Sequence, residues 1–288
     1  MTMVLTILIN GLVFGSVYAL LSMGLSTQYG VARILNIAHG EFIVLASFIT
    51  WELVTDLGVH PLTAIAAAGA ILFVIGFALH RTLFKRVRDI SPNAAAFEGD
   101  AILVAFGVYF ILQNLMRIKW GSQTTGYSFM AYPVSIGGAQ FQARSLFVFA
   151  FAAVICVLYN LFLSHTRTGK SIRAAAQDPV AARMLGVKIN RVMAICFGIG
   201  GFLAACAGVL ISMNQTFSSV TGLNYTVIAV IVVVLGGLGS IRGSILSGFI
   251  LGIVGTAVNS YDPSIMLVVF YLIILVLLIV RPKGLLGR

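Results

Sequence analysis

Residues able to do chemistry are few within the apolar runs, and one stretch gathers four of them. YGVARILNIAHGEFIVLAS (29–47) holds Arg33, Asn36, His39 and Glu41 between long apolar runs. A covalent enzyme needs a nucleophile beside its base, and a metal centre needs several ligands at set spacing. Neither set is present. His39 has no second His or Cys at ligand spacing, and Cys156, Cys196 and Cys206 lie singly in apolar stretches, as small packing residues do. Gly169-Lys170-Ser171 resembles the end of a phosphate-binding loop, but that motif needs glycine where Ser164 stands, and a strand before it. No catalytic residue, metal, cofactor or nucleotide site is therefore expected. Asn36, His39, Gly40 and Glu41 supply polarity inside apolar surroundings instead. Where such runs span a bilayer, ionisable groups are costly and face a bundle interior or an aqueous path. Two readings stay open. The group lines a translocation path or gate, or it is a helix start in which Asn36 is a cap and Glu41 meets the helix dipole. LGGLGSIRGS (235–244) is the second unusual stretch, where Gly236, Gly237 and Gly239 interrupt the apolar pattern. Such a break inside a membrane must be shielded by protein or line a wet cavity, so these glycines join the path or gate candidates.

The elements that position these residues follow from composition. The chain has 288 residues, of which 60% are hydrophobic and 9% charged. Its mean hydropathy is +1.06, whereas a soluble domain carries about 25% charged residues. A helical span takes about 20 apolar residues. Apolar intervals poor in charge place spans at about 4–29, 36–56, 61–80, 100–118, 144–164, 191–213, 224–240, 243–260 and 264–281. The fold class is thus all-α, a polytopic transmembrane helical bundle of eight or nine spans. The count depends on whether the glycine break near 235–244 separates two helices or kinks one. Little length remains for an ATPase domain or an ectodomain. The first 32 residues carry no Asp, Glu, Lys or Arg, which reads as a retained span and not a cleaved signal.

The formal net charge is +10. In a soluble protein that would suggest nucleic acid, but here the cations cluster between apolar runs, so topology explains them and no nucleic-acid partner is expected. Arg81, Lys85, Arg86 and Arg88, then Arg167, Lys170, Arg173, Arg183, Lys188 and Arg191, then Arg281, Lys283 and Arg288 hold thirteen of the eighteen basic residues. Alternating spans put all three clusters on one side and leave Arg117, Lys119 and Arg144 on the other. The cluster side is then cytoplasmic, with the C-terminus inside. The spacings Gly11–Gly15 and Gly248–Gly252 suit close helix packing.

The loop 165–191 is the one organised segment between spans. Asp178 as N-cap, Pro179 at the first helical position and Gly186 as a left-handed C-terminal glycine predict a two-turn helix over 179–185. It presents Val180, Met184 and Leu185 among basic residues. Either it rests on the inner leaflet as an amphipathic helix or it docks on a partner surface.

Longer blocks carry a resemblance. NGLVFGSVYALLSMGLSTQYGVARILNIAHGEF (10–42), RTGKSIRAAAQDPVAARMLGVKINRV (167–192), VIVVVLGGLGSIRGSILSGFILG (230–252) and VRPKGLLG (280–287) recur in order. Together they resemble the LivH-type permeases of branched-chain amino acid ABC importers. NIAHGEF favours the LivH-type over the LivM-type subunit, and Arg242 departs from the family, which often has Pro there. The resemblance implies one permease domain over 1–288 in a bacterial inner membrane. Its partners would be a LivM-type permease, two ABC ATPase subunits and a periplasmic or lipoprotein-type binding protein. It also implies that Arg173, Asp178, Pro179, Ala181, Met184, Leu185 and Gly186 form the ATPase-coupling loop. The cargo is expected to be a branched-chain amino acid, with urea, short amides or another amino acid as alternatives. A secondary transporter working without an ATPase is the other class; it calls for charged residues within several spans, and only the Glu41 region supplies them.

Overall fold

The computed structural model describes residues 2–136 and 139–287; Arg288 of the C-terminal basic cluster lies outside them. The helices are α1 (Thr2–Ala32), α2 (His39–Thr55), α3 (Pro61–Leu79), α4 (Lys85–Ile90), α5 (Ala94–Trp120), α6 (Ala143–His165), α7 (Arg167–Gln177), α8 (Pro179–Met184), α9 (Ile189–Asn214), α10 (Gly222–Gly236), α11 (Ile241–Asn259) and α12 (Met266–Val280). A π-helical turn, His80–Phe84, joins α3 to α4, and a short hairpin, β1 (Pro133–Ile136) with β2 (Ala139–Gln142), precedes α6.

Among the described residues seven helical stretches are long and apolar enough to cross a membrane: Met3–Ala32, Pro61–Ile90, Ala94–Trp120, Ala143–His165, Ile189–Asn214, Ile241–Asn259 and Pro263–Val280. Where the sequence reading places spans at 36–56 and 224–240, the helices are shorter: α2 has 17 residues and α10 has 15. Each follows a non-helical stretch, 33–38 and 215–221. The break at 235–244 resolves into two helices, α10 and α11, because Gly237 takes φ +100° and stops α10.

Packing explains the glycines. The two small-residue spacings meet each other: a Cβ on Gly252 would stand 2.3 Å from Gly15 Cα, and one on Gly11 would stand 2.7 Å from Ile253 Cα. Lipid offers no hydrophobic drive between helices, so such close backbone approach supplies dispersion contact instead. α3 meets α9 in the same way, with a Cβ on Gly201 falling 2.3 Å from the Leu72 carbonyl. α9, rich in Gly, Ala and Cys, is buried almost throughout, whereas α12 presents nearly all its side chains outward.

The contacts are reciprocal. α1 packs on α11 as α3 packs on α9, α2 on α9 as α10 on α1, and α2 also meets α10. Gly40 stands eight residues beyond the end of α1 at Ala32, and Gly222 eight beyond the end of α9 at Asn214. α1–α3 and α9–α11 are therefore related as an internal repeat. α1 runs toward the basic clusters and α9 away from them, so the repeat is inverted.

The basic clusters share one end of the bundle. Arg88 donates to the Ala32 carbonyl (2.8 Å), also meets Met193 Sδ, and lies over the Phe97 ring at 4.5 Å. A cation there caps the carbonyl end of α1. The chain after α12 returns to this end, with Leu285 N donating to Leu235 O (2.9 Å). The opposite end holds the ion pair Lys119–Glu52 (2.9 Å), Phe48 stacked on Trp120 and Thr125 paired with Phe217.

Candidate functional site

The short helices α2 and α10 put their N-termini against each other inside the bundle, and that junction holds the polar group found in the sequence. α1 stops where Arg33 takes φ +57°. Asn36 Oδ1 then accepts from Ala38 N (3.2 Å), which makes Asn36 a turn residue and not the cap of α2; Ala38 stands at that position without a side-chain bond. Asn36 Nδ2 donates to Gln28 Oε1 (3.2 Å), and Gln28 packs its amide against Gly200 on α9.

Thr226 of α10 stitches the junction. Its hydroxyl accepts from Gly40 N (2.8 Å) and donates to the Ile37 carbonyl (2.9 Å). Two backbone groups left over by the break are thereby satisfied, as apolar surroundings require. The approach is close enough to demand glycine: a Cβ on Gly40 would fall 1.9 Å from the Gly222 carbonyl. His39 bonds through Nε2 to the Leu21 carbonyl (2.9 Å) and covers Gly24, while its Nδ1 has no partner.

Glu41 is fully buried, and among the described residues neither carboxyl oxygen has a hydrogen-bond partner. Its carboxyl lies over Gly222, where an added Cβ would come 2.1 Å from Oε1. Thr221, the residue before α10, makes no side-chain cap, because its hydroxyl donates to Ser218 O (2.8 Å). The Glu41 carboxyl thus occupies the positive end of a helix other than its own, where a negative group is favourable. Among the described residues no group of three or more His, Cys, Asp or Glu is placed to hold a metal ion. The two helix ends meet through the Gly40–Gly222 backbone approach and the Thr226 hydroxyl, with no continuous backbone between them.

Gly236, Gly237 and Gly239 are elsewhere. They close the turn between α10 and α11 at the basic end, where Gly239 meets Gly30 and Gly237 meets Gly284. The length of α10, about 1.5 Å per residue, separates them from Glu41, so the sequence-based path group is two sites. The residues missed in the sequence are Gly222 and Thr226; the equal spacing from helix end to glycine in the two halves is the signal that points to Gly222.

The loop helix has the geometry expected of it. Asp178 accepts from Val180 N (2.8 Å) and Ala181 N (3.0 Å), Pro179 opens α8, and Gly186 takes φ +84°. Val180, Met184 and Leu185 are 69%, 83% and 84% exposed, which makes α8 a bare apolar knob flanked by Arg173 on α7 and Arg183.

A helical membrane bundle with an inverted repeat and a broken-helix junction at its centre belongs to the class of membrane transport components. The comparisons narrow this. The family described as branched-chain amino acid transport system / permease component matches residues 7–280, and the chain belongs to it. It is 31% identical to the high-affinity branched-chain amino acid transport system permease protein BraD of Pseudomonas aeruginosa, over 98% of this chain and 95% of that protein. It is 28% identical to the permease protein LivH of Escherichia coli (97% of this chain, 94% of that one) and 24% identical to LivM of the same organism (94% and 68%). Among solved structures, PsaBC from Streptococcus pneumoniae in complex with Fab matches with a TM-score of 0.50 at 14% identity, covering 95% of this chain and 91% of that one. At that identity the likeness is one of fold.

Proposed function

We propose that the chain is the LivH-type permease subunit of an ATP-binding-cassette importer that moves amino acids, branched-chain ones foremost, across a bacterial cytoplasmic membrane. The observation that carries this reading is the family match over residues 7–280, with the BraD and LivH relatives aligned over nearly their whole length. Residues 1–288 form one permease domain. The gathering of cations at one end supports a cytoplasmic placement of α7, α8 and the C-terminus, and the direction of α1 then puts the N-terminus outside. The bare face of α8 seats in an ATPase subunit, and a LivM-type permease, a second ATPase and an extracytoplasmic binding protein complete the importer. The stretches 33–38 and 215–221 join α2 and α10 as two discontinuous crossings, and the Gly40–Gly222 junction between them is the gate. Movement of α10 against α2 exchanges the environment of Glu41, a carboxyl without direct donors in this conformation.

The test is uptake by the complex reconstituted in vesicles. ATP-dependent entry of leucine, requiring the binding protein, is the expected result. Entry of urea or a short amide in place of leucine overturns the cargo, and entry without the ATPase subunits overturns the importer.

A further inference from the structure

At the end opposite the basic clusters lies a pocket of about 390 Å³, walled by the extended loop 124–128, the start of α6 and the end of α9. Among the described residues its lining holds one cation, Arg144, and no acidic side chain. Among the described residues the buried Arg144 Nε meets no hydrogen-bond partner, although burying an unpaired guanidinium nitrogen is unfavourable. Facing it is the carbonyl end of a 26-residue helix, α9. Gln215 N takes the Ile211 carbonyl (2.8 Å), which leaves those of Ser212, Met213 and Asn214 with no further helical turn to meet them. That end carries the negative pole of the helix. Tyr127 and Ser212 share a hydrogen bond of 3.1 Å across the floor, and Ser145 donates to Asn214 Oδ1 (3.0 Å), which fixes the wall. Burial pushes the Tyr127 hydroxyl up to about 12, so it is neutral. The pocket is therefore lined by one positive side chain and by the negative pole of a helix, in a neutral polar frame.

We propose that this pocket receives a free zwitterionic amino acid, its carboxylate on the Arg144 guanidinium and its ammonium group on the carbonyl end of α9. A lone acidic side chain from a docking protein would satisfy Arg144 and leave the α9 carbonyls unmet, so the small zwitterion fits better. The proposal rests on the importer reading and adds a receiving site on the extracytoplasmic face of the permease itself.

The three native cysteines are buried, so Thr124→Cys, at an exposed position on the rim, gives one reactive thiol on this chain, whose labelling is read on this subunit of the assembled complex. Leucine is expected to slow its modification in the absence of binding protein. 4-Methylpentanoate, without the ammonium group, and isopentylamine, without the carboxylate, are expected not to. Arg144→Gln weakens the protection by about tenfold, the factor that accompanies loss of one charge-assisted pair, while the unprotected labelling rate stays the same and reports an intact fold. Arg144→Lys, which keeps the charge, retains part of the protection. Unchanged protection in Arg144→Gln, or equal protection by 4-methylpentanoate, overturns the site. Protection by binding protein free of amino acid, and none by leucine, overturns it in favour of a docking seat. ATP-driven leucine uptake without protection overturns the site alone; protection without such uptake keeps the site and overturns the importer.

Discussion

Gly40→Ala is the sharpest probe of the junction between α2 and α10. The added methyl group would stand 1.9 Å from the Gly222 carbonyl and 2.5 Å from Thr226 Oγ1. Ordinary carbon contacts begin near 3.5 Å, so the helices must part by roughly 1.6 Å. Backbone cannot turn aside as a side chain can, and α2 is also locked to α9, where a Cβ on Gly208 would fall 2.2 Å from the Ile43 carbonyl. Parting lengthens both Thr226 hydrogen bonds and loosens the Glu41 carboxyl from the end of α10. Overpacking costs about 1–3 kcal/mol, and a buried backbone group left unpaired about 1–3 kcal/mol more. A destabilisation of about 3 kcal/mol is therefore expected, read as a lower melting temperature of the purified complex, with uptake reduced beyond any loss of assembled protein. Gly107→Ala is the control. Gly107 is an exposed helical glycine with nothing within 4 Å of its added Cβ, so alanine there should be neutral or stabilise by up to about 1 kcal/mol. Wild-type melting and uptake in Gly40→Ala would refute the junction as described.

Glu41→Gln keeps the shape and removes the charge; normal assembly, a markedly slower uptake and unchanged affinity of the binding protein are expected, and wild-type uptake over a range of leucine concentrations would reduce Glu41 to a structural role. Thr226→Val removes both junction hydrogen bonds and should impair folding and uptake, while Thr226→Ser, which keeps the hydroxyl, should restore both; equal behaviour of the two variants would count against the stitch. At Gly186, where φ is +84° and nothing lies within 4 Å of an added Cβ, leucine meets backbone strain alone, about 1 kcal/mol or more. Gly186→Leu is expected to insert normally and lose ATP-coupled uptake, so normal uptake would remove α8 from the coupling role. Single cysteines at Thr168 and Lys188, in a background without other cysteines, should react only from the cytoplasmic side and one at Tyr127 only from outside; labelling of Thr168→Cys from outside sealed cells would invert the topology.

Features that depend on neighbours along the chain were legible in the residues alone. A membrane helix satisfies its backbone groups within the segment, so apolar runs between charges marked the long spans. The caps of α8 lie within a few residues of the helix they end, and Asp178, Pro179 and Gly186 each stand where their side chain or backbone freedom is used. The glycine pairs at 11 and 15 and at 248 and 252 were visible as packing spacings, but that they pack on each other emerges from the folded bundle. The bundle also decided where α2 and α10 begin. The atoms that allow those late starts are remote: Thr226 meets Gly40 across 186 residues and Ile37 across 189. Likewise, Gly236, Gly237 and Gly239 read as companions of Glu41 because all interrupt apolar runs, yet α10 holds them at its other end. A broken helix in apolar surroundings is tolerated only where distant side chains complete its hydrogen bonds, and which side chains arrive is settled by packing, not by the order of residues.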